Sequence, residues 1–190
     1  MRRVVVSEFV SLDGVMEAPG GEEGHPHTGW VMLFPDPGQL AYKLEEVLEA
    51  EALLLGRVTY EGFAAAWPSR KDEAGFADKM NGMPKFVAST TLTELEWNNS
   101  TLLEGDVAEA VSKLKLEDGG DILVAGSRTL VHTLMEHDLV DEYRIMLFPI
   151  VLGSGRRLFP DTPDKTVLKL VDTKTFDSGV VVHTYPPARN

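Results

Sequence analysis

The chain has 190 residues, an apolar fraction of 43% and a formal net charge of −12, which fits one compact domain with a sizeable core. So acidic a chain offers no positive field to nucleic acid or an anionic membrane, and any anionic ligand must be held by a local cluster of donors. No cysteine is present, which excludes disulfides and thiolate metal sites; with an N-terminus, MRRVVVSEFV, too short in its apolar part for a signal peptide and no run of membrane-spanning length, a soluble cytoplasmic protein is expected.

Arg3 to Val10 is rich in β-branched residues without a helical period, so a central strand is expected there, closing in Ser11-Leu12-Asp13-Gly14. Residues 18–38 hold four Pro and five Gly around His25, His27 and Trp30, a long irregular loop of the kind that forms lids or walls. His25 and His27 have no further partners at a recognisable spacing, so no metal site is expected. From Gln39 to Glu51 the residues Leu40, Leu44, Val47 and Leu48 recur at helical spacing and define an inner face, leaving Glu45, Glu46, Glu49 and Glu51 solvated. Ala52 to Leu55 reads as a short buried strand, closed by Gly56-Arg57-Val58-Thr59 before a helix through Phe63 to Trp67.

A short helix at Asp72 to Met80 precedes a strand at Lys85 to Ala88, which ends in Ser89-Thr90-Thr91; Thr101 to Glu104 is a fourth strand. Asp106 opens a helix carrying Val107, Val111 and Leu114 that stops at Gly119-Gly120. Ile122 to Ala125 is an apolar run broken by Gly126, with Ser127 placed to cap the helix of Leu130, Val131, Leu134 and Met135. Glu142 to Phe148 is the next strand, and Thr166 to Phe176 and Val180 to Tyr185 form a closing antiparallel hairpin around Asp177-Ser178-Gly179. The fold class is therefore α/β: one mixed, mostly parallel sheet flanked by helices, in a single domain over 1–190.

Three strand ends carry small polar or basic residues: Gly56 to Thr59, Ser89 to Thr91, and Gly126 to Thr129. Ligands of open α/β sheets bind outside the carboxyl ends of the strands, so these segments are candidates for one groove. Gly126-Ser127 is either a phosphate cradle at a helix start or an ordinary βα turn. Arg57 is either a bidentate phosphate clamp or a surface arginine paired with a glutamate. Thr59 and Ser127 can donate to phosphate oxygens or cap their helices. Asp13 is either the carboxylate that binds substrate and relays a proton, or one half of a turn with Gly14. Trp30, Phe63 and Trp67 wall a substrate or belong to the core, and Arg156 and Arg157 clamp a phosphate or lie free on the surface.

The SLDG strand end, LLLGRVTYEGF, KFVASTT, ILVAGSRTLVHTLM and DEYRIMLFPIVLGSGRRLF, in that order over nearly the whole chain, resemble the dihydrofolate reductase superfamily. The likeness is strongest to the reductase domain of bifunctional riboflavin-biosynthesis proteins and its stand-alone relatives. The resemblance implies an NADPH-dependent, dimeric oxidoreductase acting by hydride transfer on a small molecule. In it Gly56, Arg57 and Thr59 meet the 2′-phosphate and pyrophosphate, Ser89 and Thr90 lie along the adenosine, and Gly126, Ser127, Arg128 and Thr129 cradle the pyrophosphate, with Ser127 replacing a glycine. Asp13 is the catalytic acid, with Ser11, Glu17, Trp30 and Arg156 on the substrate side. Folate-reducing relatives carry a carboxylate where Gln39 falls here, with Asp36 three residues away, so dihydrofolate itself is not the expected substrate. A phosphoribosylamino-pyrimidine of riboflavin synthesis is the expected one. No zinc-deaminase signature is present, which points to a separate reductase; a nucleotide-binding protein without efficient turnover is the alternative.

Overall fold

The computed structural model describes residues 1–162 and 165–188. Eight strands form one sheet: β1 (Val4–Ser11), β2 (Ala52–Gly56), β3 (Lys85–Ala88), β4 (Ser100–Leu102), β5 (Ile122–Ala125), β6 (Glu142–Phe148), β7 (Asp172–Thr175) and β8 (Val181–Tyr185). Their order is β4-β3-β2-β5-β1-β6-β8-β7. The first six in that order run parallel, and β8 and β7 are antiparallel to what precedes them. This is the mixed, mostly parallel α/β sheet expected from the sequence, with the antiparallel hairpin at one edge.

The helices are α1 (Pro37–Glu49), α2 (Arg57–Ala66), α3 (Phe76–Gly82), α4 (Val107–Leu116) and α5 (Arg128–Glu136), with a 3-10 turn at Trp30–Leu33 inside the long loop. β1 is covered on both sides, and side chains alternate across a strand. Val4, Val6 and Val10 therefore join Val111, Leu130 and Val131 in one cluster, while Val5 joins Val47, Leu53 and Tyr60 in another. A third cluster gathers Trp30, Met146, Phe148 and Val182 under the loop.

Helix α1 departs from its pattern in two ways. It begins at Pro37, not Gln39, because Asp36 accepts the Gly38 amide at 2.7 Å and proline suits the first helical position. Its buried face keeps only part of the expected stripe: Val47 is buried and Leu44 half-buried, but Leu40 and Leu48 are 64% and 47% exposed, whereas Glu46, expected in solvent, is 3% exposed. The sheet beneath supplies the reason. Ser7 Oγ donates to Glu46 at 2.9 Å, Lys43 binds the same carboxylate, and Arg144 of β6 stands 3.5 Å away. A buried carboxylate is tolerated when it is paired in this way, and with Glu46 turned inward Leu40 and Leu48 are left facing solvent.

Smaller differences have local causes. α3 starts at Phe76 because the Asp72 carboxylate accepts the amides of Phe76 and Ala77 at 2.9 and 2.7 Å from outside the helix. β4 is Ser100–Leu102, not 101–104, and β7 is confined to Asp172–Thr175. Upstream of β7 the pairing continues as an isolated bridge, Leu168 to Pro187, and backbone hydrogen bonds such as Lys169 N–H to Pro186 O at 3.0 Å. The hairpin turn closes as expected, the Gly179 amide donating to Phe176 at 2.9 Å with Gly179 at φ +85°. Among the described residues no helix is long and apolar enough to cross a membrane.

Candidate functional site

The order β3-β2-β5 makes the three polar strand ends neighbours, all at the carboxyl edge of parallel strands. Two of them are joined directly. The Gly56 amide donates to Ser127 Oγ at 2.8 Å, and the Ser127 amide donates to Thr59 Oγ1 at 2.9 Å. Ser127 sits in the left-handed region at φ +60°, ψ +42°, and makes no side-chain cap on α5. The capping role expected for it therefore fails. Its hydroxyl turns inward, bridging β2 and β5 and reaching the Ala125 carbonyl at 3.3 Å.

Gly126 also has positive φ, +60°, and a Cβ there would stand 2.9 Å from Thr59 Oγ1. The turn thus needs a glycine on conformational and steric grounds. Neither α2 nor α5 has a side-chain cap at its start. Two helix N-termini, each with first-turn amides that lack intrahelical acceptors, consequently meet at one groove, where their dipoles favour an anion.

Of the flanking residues, Arg57 opens α2, is 44% exposed in its side chain and pairs with Glu61 at 2.9 Å. Such an exposed pair holds weakly. Ser89 Oγ accepts the amides of Thr91 and Leu92 at 3.1 and 3.0 Å, shaping the turn after β3, and Thr90 is exposed beside it. Arg128 donates through Nε to the Arg157 carbonyl at 2.6 Å, tying α5 to the late glycine loop, and Thr129 is exposed.

On the other side of β1, Asp13 fastens two segments together. Its carboxylate accepts from Ser11 Oγ at 2.6 Å and from the amides of Leu152 and Gly153 at 3.1 and 2.8 Å. These bonds, the Ser11 hydroxyl foremost, lower its pKa to about 2. The turn reading holds as well, since Gly14 has φ +86° and its amide reaches Ser11 O at 2.9 Å. Glu17 accepts the Arg156 amide at 2.7 Å and pairs with Arg156 Nε at 3.5 Å, the rest of that side chain being largely in solvent. Arg157 Nε donates to Asp13 O at 3.2 Å.

Trp30 is buried edge-on against Phe148, its Nε1 donating to Glu17 O at 2.8 Å, and it borders a hollow of about 300 Å³ with His27, Leu33, Ile150 and Leu152. Phe63 and Trp67 pack with Trp97 in the core. Gln39 donates to Phe34 O and Ser178 Oγ, and Asp36 accepts the Ser178 amide at 3.1 Å, so both fasten α1 to the hairpin. The His25 and His27 rings meet edge-on at 5.8 Å.

One residue at the groove escaped sequence reasoning. Glu8, 5% exposed on the central strand, accepts the Gly126 amide at 3.0 Å through Oε2. Burial pushes its pKa well above the usual carboxylate range, against the Gly126 amide and Lys43. The signal was available: a lone charge inside VVVSEFVS, a run otherwise built for burial on both faces. Lys43 and Arg144, the partners of Glu46, were missed likewise.

Known proteins resemble the chain in sequence and in fold. The chain is 32% identical over 187 residues to the uncharacterized protein YyaP of Bacillus subtilis (strain 168), covering 97% of this chain and 94% of that one. It is 29% identical over 182 residues to the uncharacterized protein YwjB of the same organism, covering 96% and 97%. Among solved structures it is similar to a candidate riboflavin biosynthesis protein from Shewanella sp. PV-4, with a TM-score of 0.75, 22% identity and coverage of 98% and 99%. It is also similar to a pyrimidine reductase-like protein from Corynebacterium diphtheriae, with a TM-score of 0.63, 11% identity and coverage of 100% and 93%. The model of the RibD C-terminal domain matches residues 2–182. Matched over nearly its whole length, the chain belongs to the RibD C-terminal domain family.

Proposed function

We propose that the protein is a reductase that takes its hydride from NADPH bound across the groove between the starts of α2 and α5. The observation that carries this reading is that pair of uncapped helix N-termini at adjacent parallel strand ends, coupled through Ser127. In an acidic chain a dinucleotide needs such a local donor cluster. Gly126 to Thr129 and Thr59 line the pyrophosphate, Gly56 gives the close approach, Arg57 turns from Glu61 to the 2′-phosphate, and Ser89 and Thr90 flank the adenosine. NADPH supplies the hydride; the chain binds it, orients it and excludes water.

The substrate on this reading is a small heterocycle carrying a phosphorylated sugar, a ribosylamino-pyrimidine of riboflavin biosynthesis. The descriptions of the Shewanella and Corynebacterium proteins support that class. Ser11, Glu17 and Trp30 wall it, and Arg156, whose side chain is largely in solvent, meets its phosphate. The working form is a cytoplasmic homodimer.

A second reading, a nucleotide-binding protein without efficient turnover, is favoured by one observation: Asp13, with a pKa lowered to about 2, is a poor proton donor at neutral pH. Thermal unfolding with and without NADPH tests what both readings share. A ligand at one hundred times its Kd that binds only the native state stabilises it by about 2.7 kcal/mol. No rise in Tm at millimolar NADPH removes both. Consumption of NADPH with a ribosylamino-pyrimidine phosphate separates the first from the second.

A further inference from the structure

We propose that Glu8 is itself a ligand-binding residue: a carboxylic acid that stays protonated in the folded protein and donates through Oε1 to an acceptor atom of the ligand lying along the Gly126 turn. The inference rests on the groove being the cofactor site and adds a residue and a proton to it.

The carboxyl stands in the second half of the central strand, on the face shared with Val6 and Val10, with Ile145 of β6 opposite it in register. Oε2 is occupied by the Gly126 amide at 3.0 Å. Oε1 is buried and has no hydrogen-bond partner among the described residues. An ionised carboxylate with one oxygen left bare in the interior is strongly disfavoured, whereas the acid form leaves only a hydroxyl in want of an acceptor. The cation that acts on it, Lys43, compensates it only in part. The charged groups that act on Glu8 are Lys43 and Glu46 of α1, and Lys43 is already engaged by Glu46 and by Ser7 Oγ at 2.8 Å. Burial drives the acid form and Glu46 adds to it, against the Gly126 amide and Lys43.

Position decides what that proton does. Gly126 is the point at which β5 turns into α5, its own amide on Glu8 and the amide of the next residue, Ser127, on Thr59 Oγ1 at the start of α2. A neutral acid there presents a donor to a phosphate, carboxamide or ring carbonyl oxygen. An ionised one presents a second negative charge to an anionic ligand and repels it. Affinity therefore falls as pH rises through the pKa of Glu8, and above that pKa each binding event takes up one proton.

The test measures the NADPH dissociation constant against pH for the wild type and Glu8→Gln. The amide keeps the shape, the acceptor for Gly126 and a donor at every pH. The wild type is expected to weaken by about tenfold per pH unit above the Glu8 pKa, while Glu8→Gln does not. Taking the difference between the two proteins cancels the titration of the cofactor. Parallel profiles overturn the inference. If Glu8→Gln does not fold, binding calorimetry of the wild type in buffers of different ionisation enthalpy counts the proton directly, and zero uptake at every pH overturns it.

Should NADPH bind neither protein, the cofactor reading falls by itself, and unfolding of the unliganded proteins decides for Glu8. A carboxyl with a raised folded pKa makes the wild type lose stability relative to Glu8→Gln as pH rises from the ordinary carboxylate range through that pKa. A difference that does not move with pH overturns the inference.

Discussion

The Ser127 amide donates to Thr59 Oγ1 at 2.9 Å, and the Cβ that Gly126 lacks would stand at the same distance, 2.9 Å, from the same oxygen. One threonine on α2 thus fixes the turn after β5 by a bond on one residue and by crowding on the residue before it. Gly126→Ala is expected to destabilise by about 1–2 kcal/mol for the left-handed backbone alone, and by more with the clash. Thr59→Ala is expected to lose about 1 kcal/mol with its hydrogen bond. Because the second change relieves the clash in the first, the double variant should cost less than the two together. Denaturant titration of the cycle checks this, and strict additivity removes the crowding argument.

Arg57 and Glu61 form an exposed pair one helical turn apart, a geometry worth about 0.3–0.5 kcal/mol. Arg57→Ala should therefore leave unfolding nearly unchanged while reducing the preference for NADPH over NADH by about 1.5–3 kcal/mol, the scale of a bond to a charged group. Glu61→Gln frees the guanidinium and should move the preference the other way. Equal loss of both cofactors in Arg57→Ala makes the residue structural.

Asp13 joins the end of β1 to the loop at Leu152 and Gly153, and the Ser11 hydroxyl, with those two amides, lowers its pKa from 3.8 to about 2. A depressed carboxylate contributes stability that is fully present above its unfolded value and is lost as pH falls through the folded one. Wild type should thus exceed Asp13→Asn in Tm at neutral pH, with the gap shrinking between pH 3.8 and about 2. A constant gap over that window shows that the carboxylate charge is not what holds the loop.

Glu46 is shared by Ser7, Lys43 and Arg144 beneath α1. Removing one member of a buried ionic cluster leaves the others uncompensated, so Glu46→Ala is expected to cost about 3–5 kcal/mol. Glu45→Ala, on the exposed side of the same helix, should lie within about 0.5 kcal/mol of wild type. Chemical denaturation of both compares them directly, and similar losses would mean that the cluster contributes nothing specific.

The sequence by itself determined the framework. Runs such as ALLL and ILVA are apolar throughout, and VVVSEFV is so apart from Ser7 and Glu8; only a strand covered on both faces buries them, so the parallel sheet and its crossover helices were legible. The glycine at 126 and the polar residues after three strands marked the groove, because turn chemistry is local. Tertiary structure decided the rest, since it depends on partners far apart in the chain. The periodicity of α1 named the leucines as its inner face. Ser7 and Arg144, 137 positions apart in the numbering, hold Glu46 inward, and Leu40 and Leu48 of that face stand in solvent. Ser127 was read as a cap from its neighbours, yet its hydroxyl is taken by Gly56, 71 positions away. Glu8 became a site residue only because β5 lies beside β1 and brings the Gly126 amide to it, 118 positions along the chain. A buried charge is tolerated only where a particular fold supplies its partners, and no local pattern contains them.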